Sequence, residues 1–148
     1  MIDQTASKQI TRFMNAFLAE VDQIYSDASK RVVNGMLTDA PVDEGEYRSQ
    51  WNFALNARPT DARNPFDTTK TGARSKRRIK PIFEDMTLDD ILIGENDDSA
   101  AIPIEFGGSD QAPGGVLRKH TRRWKRYVRQ ASFNAQRRAR RNVADGVF

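Results

Sequence analysis

The run Ala101-Ile102-Pro103-Ile104-Glu105-Phe106-Gly107-Gly108-Ser109-Asp110-Gln111-Ala112-Pro113-Gly114-Gly115 passes straight into a basic stretch that starts at Val116. Four glycines and two prolines in fifteen positions specify backbone geometry more than side-chain chemistry, because Gly reaches positive φ at little cost and Pro fixes φ. The run reads as a shaped loop feeding a helix, which suits an interface better than a catalytic pocket. Past it, Leu117, Thr121, Trp124, Val128, Ala131 and Ala135 follow a 4-3-4-3-4 spacing, which predicts an amphipathic helix. Arg118, Lys119, Arg122, Arg123, Lys125, Arg126 and Arg129 fill much of its remaining surface. Arg137, Arg138, Arg140 and Arg141 carry the charge into a tail expected to fray near Gly146.

Upstream of the run, Ile91-Leu92-Ile93 followed by Gly94-Glu95-Asn96-Asp97-Asp98 reads as a buried strand ending in a turn. The alternation in Trp51-Asn52-Phe53-Ala54-Leu55 predicts a strand with one buried face. Between them, from Asn56 to Lys80, Arg58, Arg63, Lys70, Arg74, Lys76, Arg77 and Arg78 stand among Pro, Thr, Gly and Asn. That composition reads as a long exposed loop, mobile in isolation and able to order on a partner. Pro41-Val42-Asp43-Glu44-Gly45 is a turn. Before it, Ile10, Met14, Phe17, Val21, Ile24 and Ala28 again show 4-3-4-3-4 spacing, predicting a helix from Ser7 to about Leu37. Ser7 is its expected N-cap, Gly35 lies near its end, and Pro41 stops it. The stripe is expected to cover a sheet as core, with a coiled-coil partner as the alternative.

The 148 residues suit one domain with its own core. No apolar run approaches the roughly 20 residues that span a bilayer, the amino terminus lacks the pattern of a secretory signal, and there is no cysteine. Assembly in the cytoplasm is therefore expected. The net charge of +4 hides a polarity: residues from Val116 onward carry +10 and those before carry −6. Such a chain can meet a phosphate backbone, an acidic protein, or the acidic portion of its own copy. Trp124 and Tyr127 on the basic helix give it the footprint of a nucleic-acid binder, but both fall on or beside the apolar stripe and read as core. The helix is expected to face an acidic protein neighbour.

For catalysis the candidates are Glu84, Asp85, Asp89, Asp90, Glu105 and the single His120, and none has a persuasive spacing. Asp89-Asp90 reads as a solvated turn in preference to a metal pair. His120, among Arg118, Lys119, Arg122 and Arg123, reads as a surface residue whose neutral form the neighbouring charge favours. Gly107-Gly108 and Gly114-Gly115 lack the Lys-Ser/Thr that completes a phosphate loop. No enzyme activity, cofactor or metal is expected.

Pro41-Val42-Asp43-x-Gly45 with Arg48 and Trp51, together with the run from Ala101 to Gly115, resembles the tail-completion or neck proteins of tailed bacteriophages. In that family a long helix precedes a Pro-Val-Asp-Thr-Gly turn, strands follow, and a Glu-Tyr-Gly…Ser-x-Gln-Ala-Pro-x-Gly segment opens a final helix. The match spans about Ile10 to Ala131, with its specific identities in the two short segments. Glu44, Phe106 and Ala100 depart from the pattern, and the segment from Asn56 to Lys80 is longer than the family needs. The resemblance implies an α+β fold, a small mixed or antiparallel sheet packed by helices, and a virion component without enzymatic activity. It implies a ring, six-membered in that family, between the tail tube or tail terminator and the head–tail connector, with genome DNA passing through the lumen. Trp51, Glu105, Phe106, Gly107, Gln111, Pro113, Arg122, Arg126 and Arg129 are the expected interface residues. Two readings stay open for Glu105, an anchor for the loop or subunit contact and an exposed carboxylate. A small DNA-binding accessory protein of a phage or prophage is the alternative function.

Overall fold

The computed structural model describes residues 4–60 and 63–144, the last three through their backbone alone. Helix α1 (Gln4–Asp39) extends over 36 residues and begins ahead of Ser7. Ser7 is thus inside the helix and not its cap, and its carbonyl accepts the Thr11 hydroxyl at 3.0 Å. After the Pro41 turn come α2 (Glu46–Ser49), β1 (Trp51–Leu55), α3 (Ala73–Ile79), a 3-10 turn at Lys80–Phe83 and β2 (Leu92–Asn96). Then follow α4 (Ala101–Glu105), α5 (Leu117–Thr121) and α6 (Trp124–Ala144). The strands form one antiparallel pair, Trp51 opposite Asn96 and Leu55 opposite Leu92. The architecture is α+β, predominantly helical.

The core gathers Val33, Met36 and Leu37 of α1 and Ala40 just past its end around Tyr47, Trp51, Ile79, Phe83, Met86, Ile104, Ala112 and Val116. Farther up, Ala28 of α1 and Ala131 and Ala135 of α6 are buried along the line where the two long helices pack. Arg138 tightens that packing from the rim, 3.4 Å from Glu20 and 3.5 Å from Asp27. The α1 stripe therefore covers a helix more than a sheet, and only in its C-terminal half. Ile10, Met14 and Phe17, expected in the core, are exposed.

Three other expectations are corrected. The segment from Asn56 to Lys80 is not a plain exposed loop: it contains α3, and its Asp67 is fully buried. The second strand starts at Leu92 and includes Gly94 to Asn96, leaving Ile91 65% exposed. The basic helix is broken between Thr121 and Trp124, and Leu117 and Trp124 are exposed while Val116, His120, Ala131 and Ala135 are buried. The packed face runs through Val116, His120 and Tyr127, one position away from Leu117, Thr121 and Val128, and then through Ala131 and Ala135 as the spacing marked. The tail near Gly146 lies outside the described residues.

Asp67 explains why its segment is ordered. One carboxylate oxygen accepts the Thr69 N–H at 3.1 Å and the Thr69 hydroxyl, and the other accepts the Ser75 N–H at 2.7 Å in the first turn of α3. Burial pushes its pKa up, but these donors more than offset that and hold it at about 2. A carboxylate depressed in the folded state contributes stability above its unfolded pKa and loses it as pH falls through the folded value. Acid titration of the wild type should therefore lose about 2 kcal/mol between roughly pH 4 and pH 2, and Asp67→Asn should lack that component. An unchanged acid profile in Asp67→Asn would show that another carboxylate is responsible.

Candidate interaction surface

The two segments of the sequence signature meet. The Gln111 side chain lies across the Val42 peptide, its Oε1 accepting the Val42 N–H at 2.9 Å and its Nε2 donating to the Val42 carbonyl at 3.5 Å. A primary amide offers a donor and an acceptor side by side, so one side chain satisfies both backbone groups of an exposed turn. The turn is held from its other side at Gly45, where φ is 82° and an added Cβ would sit 2.6 Å from the Asp67 carbonyl carbon. The Gly45 carbonyl accepts the Asp67 N–H at 3.1 Å.

The base of the 106–115 loop is closed by Glu105. Its Oε1 accepts the N–H groups of Val116 and Leu117 at 2.8 and 2.6 Å, and its Oε2 accepts that of Arg118 at 3.3 Å. These are donors that the start of α5 would otherwise leave open. The Arg118 guanidinium in turn donates to the Glu105 carbonyl. Glu105 is therefore an anchor within the chain, not a free carboxylate. Gly115, at φ 74°, lets the backbone pass where a Cβ would lie 2.7 Å from a Glu105 carboxylate oxygen. Glu105→Ala should cost about 1 kcal/mol and speed amide exchange at Val116 and Leu117, read by hydrogen exchange. Exchange at those two amides as slow as in the wild type would refute the capping role.

Closed in this way, the loop displays apolar side chains. Phe106 is 75% and Ile102 73% exposed, with the Arg118 guanidinium 4.8 Å above the Phe106 ring. Gly107, Gln111 and Pro113 are also at the surface. Arg122, Arg126 and Arg129 stand exposed on the break and on α6, and among the described residues they make no ion pair. Trp51 is the exception in the expected set. It is 5% exposed, stacked on Phe53 and edge-on to Tyr47, so it belongs to the core and not to a surface.

Beside the Pro41 turn lies a cleft of about 250 Å³ lined by Asp43, Glu44, Glu46 and Asp98 with Pro41, Tyr47 and Ile104. Burial raises the Tyr47 pKa, and the nearby charges of Glu105 and Asp98 raise it further. The neighbouring Trp51 indole N–H opposes this. The protein thus presents an acidic cleft on its body and an unpaired basic row near its C-terminal helix.

His120 is corrected from a surface residue to a buried one, 3% exposed. Its Nε2 lies 2.9 Å from Asp39 Oδ2 and its Nδ1 2.7 Å from the Tyr127 hydroxyl; Lys119 reaches the same Asp39 oxygen at 2.6 Å. A neutral ring that donates from Nε2 to Asp39 accepts the Tyr127 O–H at Nδ1. Burial is the main cause that lowers its pKa, opposed by Asp39 and reinforced by Arg123 and Lys119. Both nitrogens are hydrogen-bonded within the buried interior, so the residue is a staple joining α1, α5 and α6. Glu84, Asp85 and Asp89 are exposed. Asp90 turns inward on its own loop, accepting from Thr87 and Asn56. Among the described residues, no three His, Asp or Glu side chains are arranged to hold a metal ion, and no helix is long and apolar enough to cross a membrane.

Sequence reasoning missed Gly35, Asp39, Arg48 and Asp67 as structural determinants. A glycine in a strongly helical run was the one available signal, since it marks a close approach. Comparison with family models, curated proteins and solved structures found no match.

Proposed function

We propose that this chain is a non-enzymatic virion subunit of a tailed bacteriophage, a tail-completion or neck protein acting as a closed, six-membered ring between tail and head connector. The observation that carries this reading is the Gln111–Val42 contact, which makes one unit of two signature segments 69 residues apart. A repeated head-to-tail contact needs two different faces on each subunit, and the acidic cleft and the basic row are such faces. Copies of itself, a tail tube or terminator protein and the head–tail connector are the proposed partners. Genome DNA would pass through the lumen without sequence-specific binding, and the basic row would face an acidic protein neighbour, because a strongly basic lining would retain the DNA through counterion release.

Electron microscopy of particles made without the protein tests this reading. Separate filled heads and tails, with bare or abnormally long tail ends, are expected; intact infectious particles would refute it. Reversing charge with Arg122→Glu, Arg126→Glu and Arg129→Glu should leave stability within about 0.5 kcal/mol per site and block docking of tail to head. Normal joining by the triple variant would remove the basic row from the contact. The same unpaired arginines favour a second reading, a DNA-binding accessory protein. A steep fall in DNA affinity with rising salt would support that alternative.

A further inference from the structure

The N-terminal half of α1 carries an apolar stripe that stays exposed among the described residues. Ile10, Phe13, Met14, Phe17 and Leu18 are 63%, 70%, 47%, 55% and 52% exposed, and helical spacing sets them side by side. Contiguous apolar patches of this kind mark interaction sites. Lys8 and Arg12 border the stripe, exposed and without an ion pair among the described residues.

A complementary feature lies farther along the same helix. Ser29 and Val32 of α1, Leu92 of β2, Thr121 of α5 and Trp124 of α6 line an almost wholly apolar groove of about 380 Å³. Tyr25 builds its rim, edge-on to Trp124 at 6.0 Å and donating its hydroxyl to the Asp90 carbonyl at 3.0 Å. The Leu88 N–H donates to Asp22 at 2.8 Å, so the segment that carries exposed Leu88 and Ile91 is held near the groove. Asp85 and Asp89 of that segment are exposed carboxylates.

We infer that the α1 stripe of one copy of this chain docks into the Val32–Leu92–Trp124 groove of a second copy, with Lys8 and Arg12 meeting Asp85 and Asp89. One chain carries both members of the match, an apolar ridge bordered by cations and an apolar groove whose neighbouring 85–91 segment exposes carboxylates. The two sit roughly 25 Å apart on one continuous helix, so a chain cannot satisfy them itself. Stripe into groove is a contact between unlike surfaces, which repeats head to tail and generates a ring when the rotation closes. The contact deepens the ring reading and rests on it only for closure at a fixed number.

The test uses the purified full chain in sedimentation velocity, with circular dichroism confirming the fold of each variant. Wild type is expected to self-associate with concentration. A stripe variant, Phe13→Glu with Phe17→Glu, and a groove variant, Thr121→Arg, should each be monomeric alone. Their equimolar mixture should give a dimer, because one intact stripe then faces one intact groove. A mixture that stays monomeric while wild type associates overturns the inference, as does wild type that is monomeric at every concentration reached. Should the stripe variant misfold, Lys8→Glu with Arg12→Glu replaces it. That pair should weaken association at least about tenfold, with recovery on adding Asp85→Lys and Asp89→Lys, and no recovery overturns the charge match. Variants that fail to associate yet still join heads to tails show that the ring in the particle does not use this contact, and leave the joining role standing. Infectious particles lacking the protein remove the joining role alone.

Discussion

Gly35→Ala is expected to destabilise the protein by about 2–3 kcal/mol, against the sign that helix propensity alone would give. Gly35 lies inside α1, where Ala is normally favoured by about 1 kcal/mol. A Cβ at this position, however, would stand 2.3 Å from His120 Nδ1 and 2.4 Å from its Cε1. The imidazole cannot swing aside at low cost, because it is 3% exposed and bonded at both nitrogens, to Asp39 and Tyr127. Moving it breaks the staple between α1, α5 and α6. Urea unfolding of Gly35→Ala checks the magnitude, and Gly35→Ala combined with His120→Ala checks the cause. The second change should recover part of the loss by making room for the new methyl group. A Gly35→Ala protein as stable as wild type would mean that the ring relaxes freely and the staple carries little.

The second large effect is expected at Arg48. This side chain is 1% exposed and its guanidinium is spread over main-chain carbonyls. Nη2 donates to Ala40 at 3.1 Å and Thr38 at 3.4 Å, and Nη1 donates to Thr69 at 2.5 Å and Asp67 at 3.5 Å. It thereby satisfies the open carbonyls at the end of α1 and ties them to the Asp67–Thr69 segment, with burial lowering its pKa and Asp67 opposing that shift. Arg48→Met keeps much of the volume but leaves those carbonyls without donors, at an expected loss of about 3–5 kcal/mol. That is a large part of the 5–15 kcal/mol typical of a domain. Arg48→Lys should recover less than half, since an ammonium is a point donor and cannot span two pairs of carbonyls. Equilibrium unfolding of the three proteins gives the comparison. Met and Lys variants within 1 kcal/mol of wild type would show that water replaces the guanidinium.

These two residues show where reading the chain stops. Trp51 to Leu55 could be assigned as a strand from alternation alone, because that pattern depends on neighbours two positions apart. The long N-terminal helix was likewise legible from its spacing. Its partner was not, because the stripe keeps one period through Ile10, Phe17, Ile24 and Ala28 while α6 covers only the later part. On the basic helix, apolarity pointed to Leu117 and Trp124, while the packed face uses His120 and Tyr127, polar groups that bury because they bond one another and Asp39. The segment before α3 read as solvated because its residues are polar. Asp67 orders it by accepting from the Thr69 N–H and hydroxyl and the Ser75 N–H, and composition does not encode such satisfaction.

The candidate surface divides in the same way. Glycine and proline spacing marked the turn at Pro41 and the loop after Ile104 as shaped backbone, and the basic row was visible as charge. That Gln111 lies on Val42, that Glu105 caps α5, and that Trp51 is sealed in the core came only from three dimensions. The amino-acid order by itself determined the α+β class, the two strands, the long helices and the charge polarity, all consequences of interactions over a few residues. The tertiary structure alone decided which faces are covered, which polar groups are paired, and which half of α1 is exposed among the described residues. Those outcomes depend on residues far apart in the chain, such as Tyr25 with Asp90, 65 positions on, and Asp39 with His120, 81 positions on, meeting at hydrogen-bond distance.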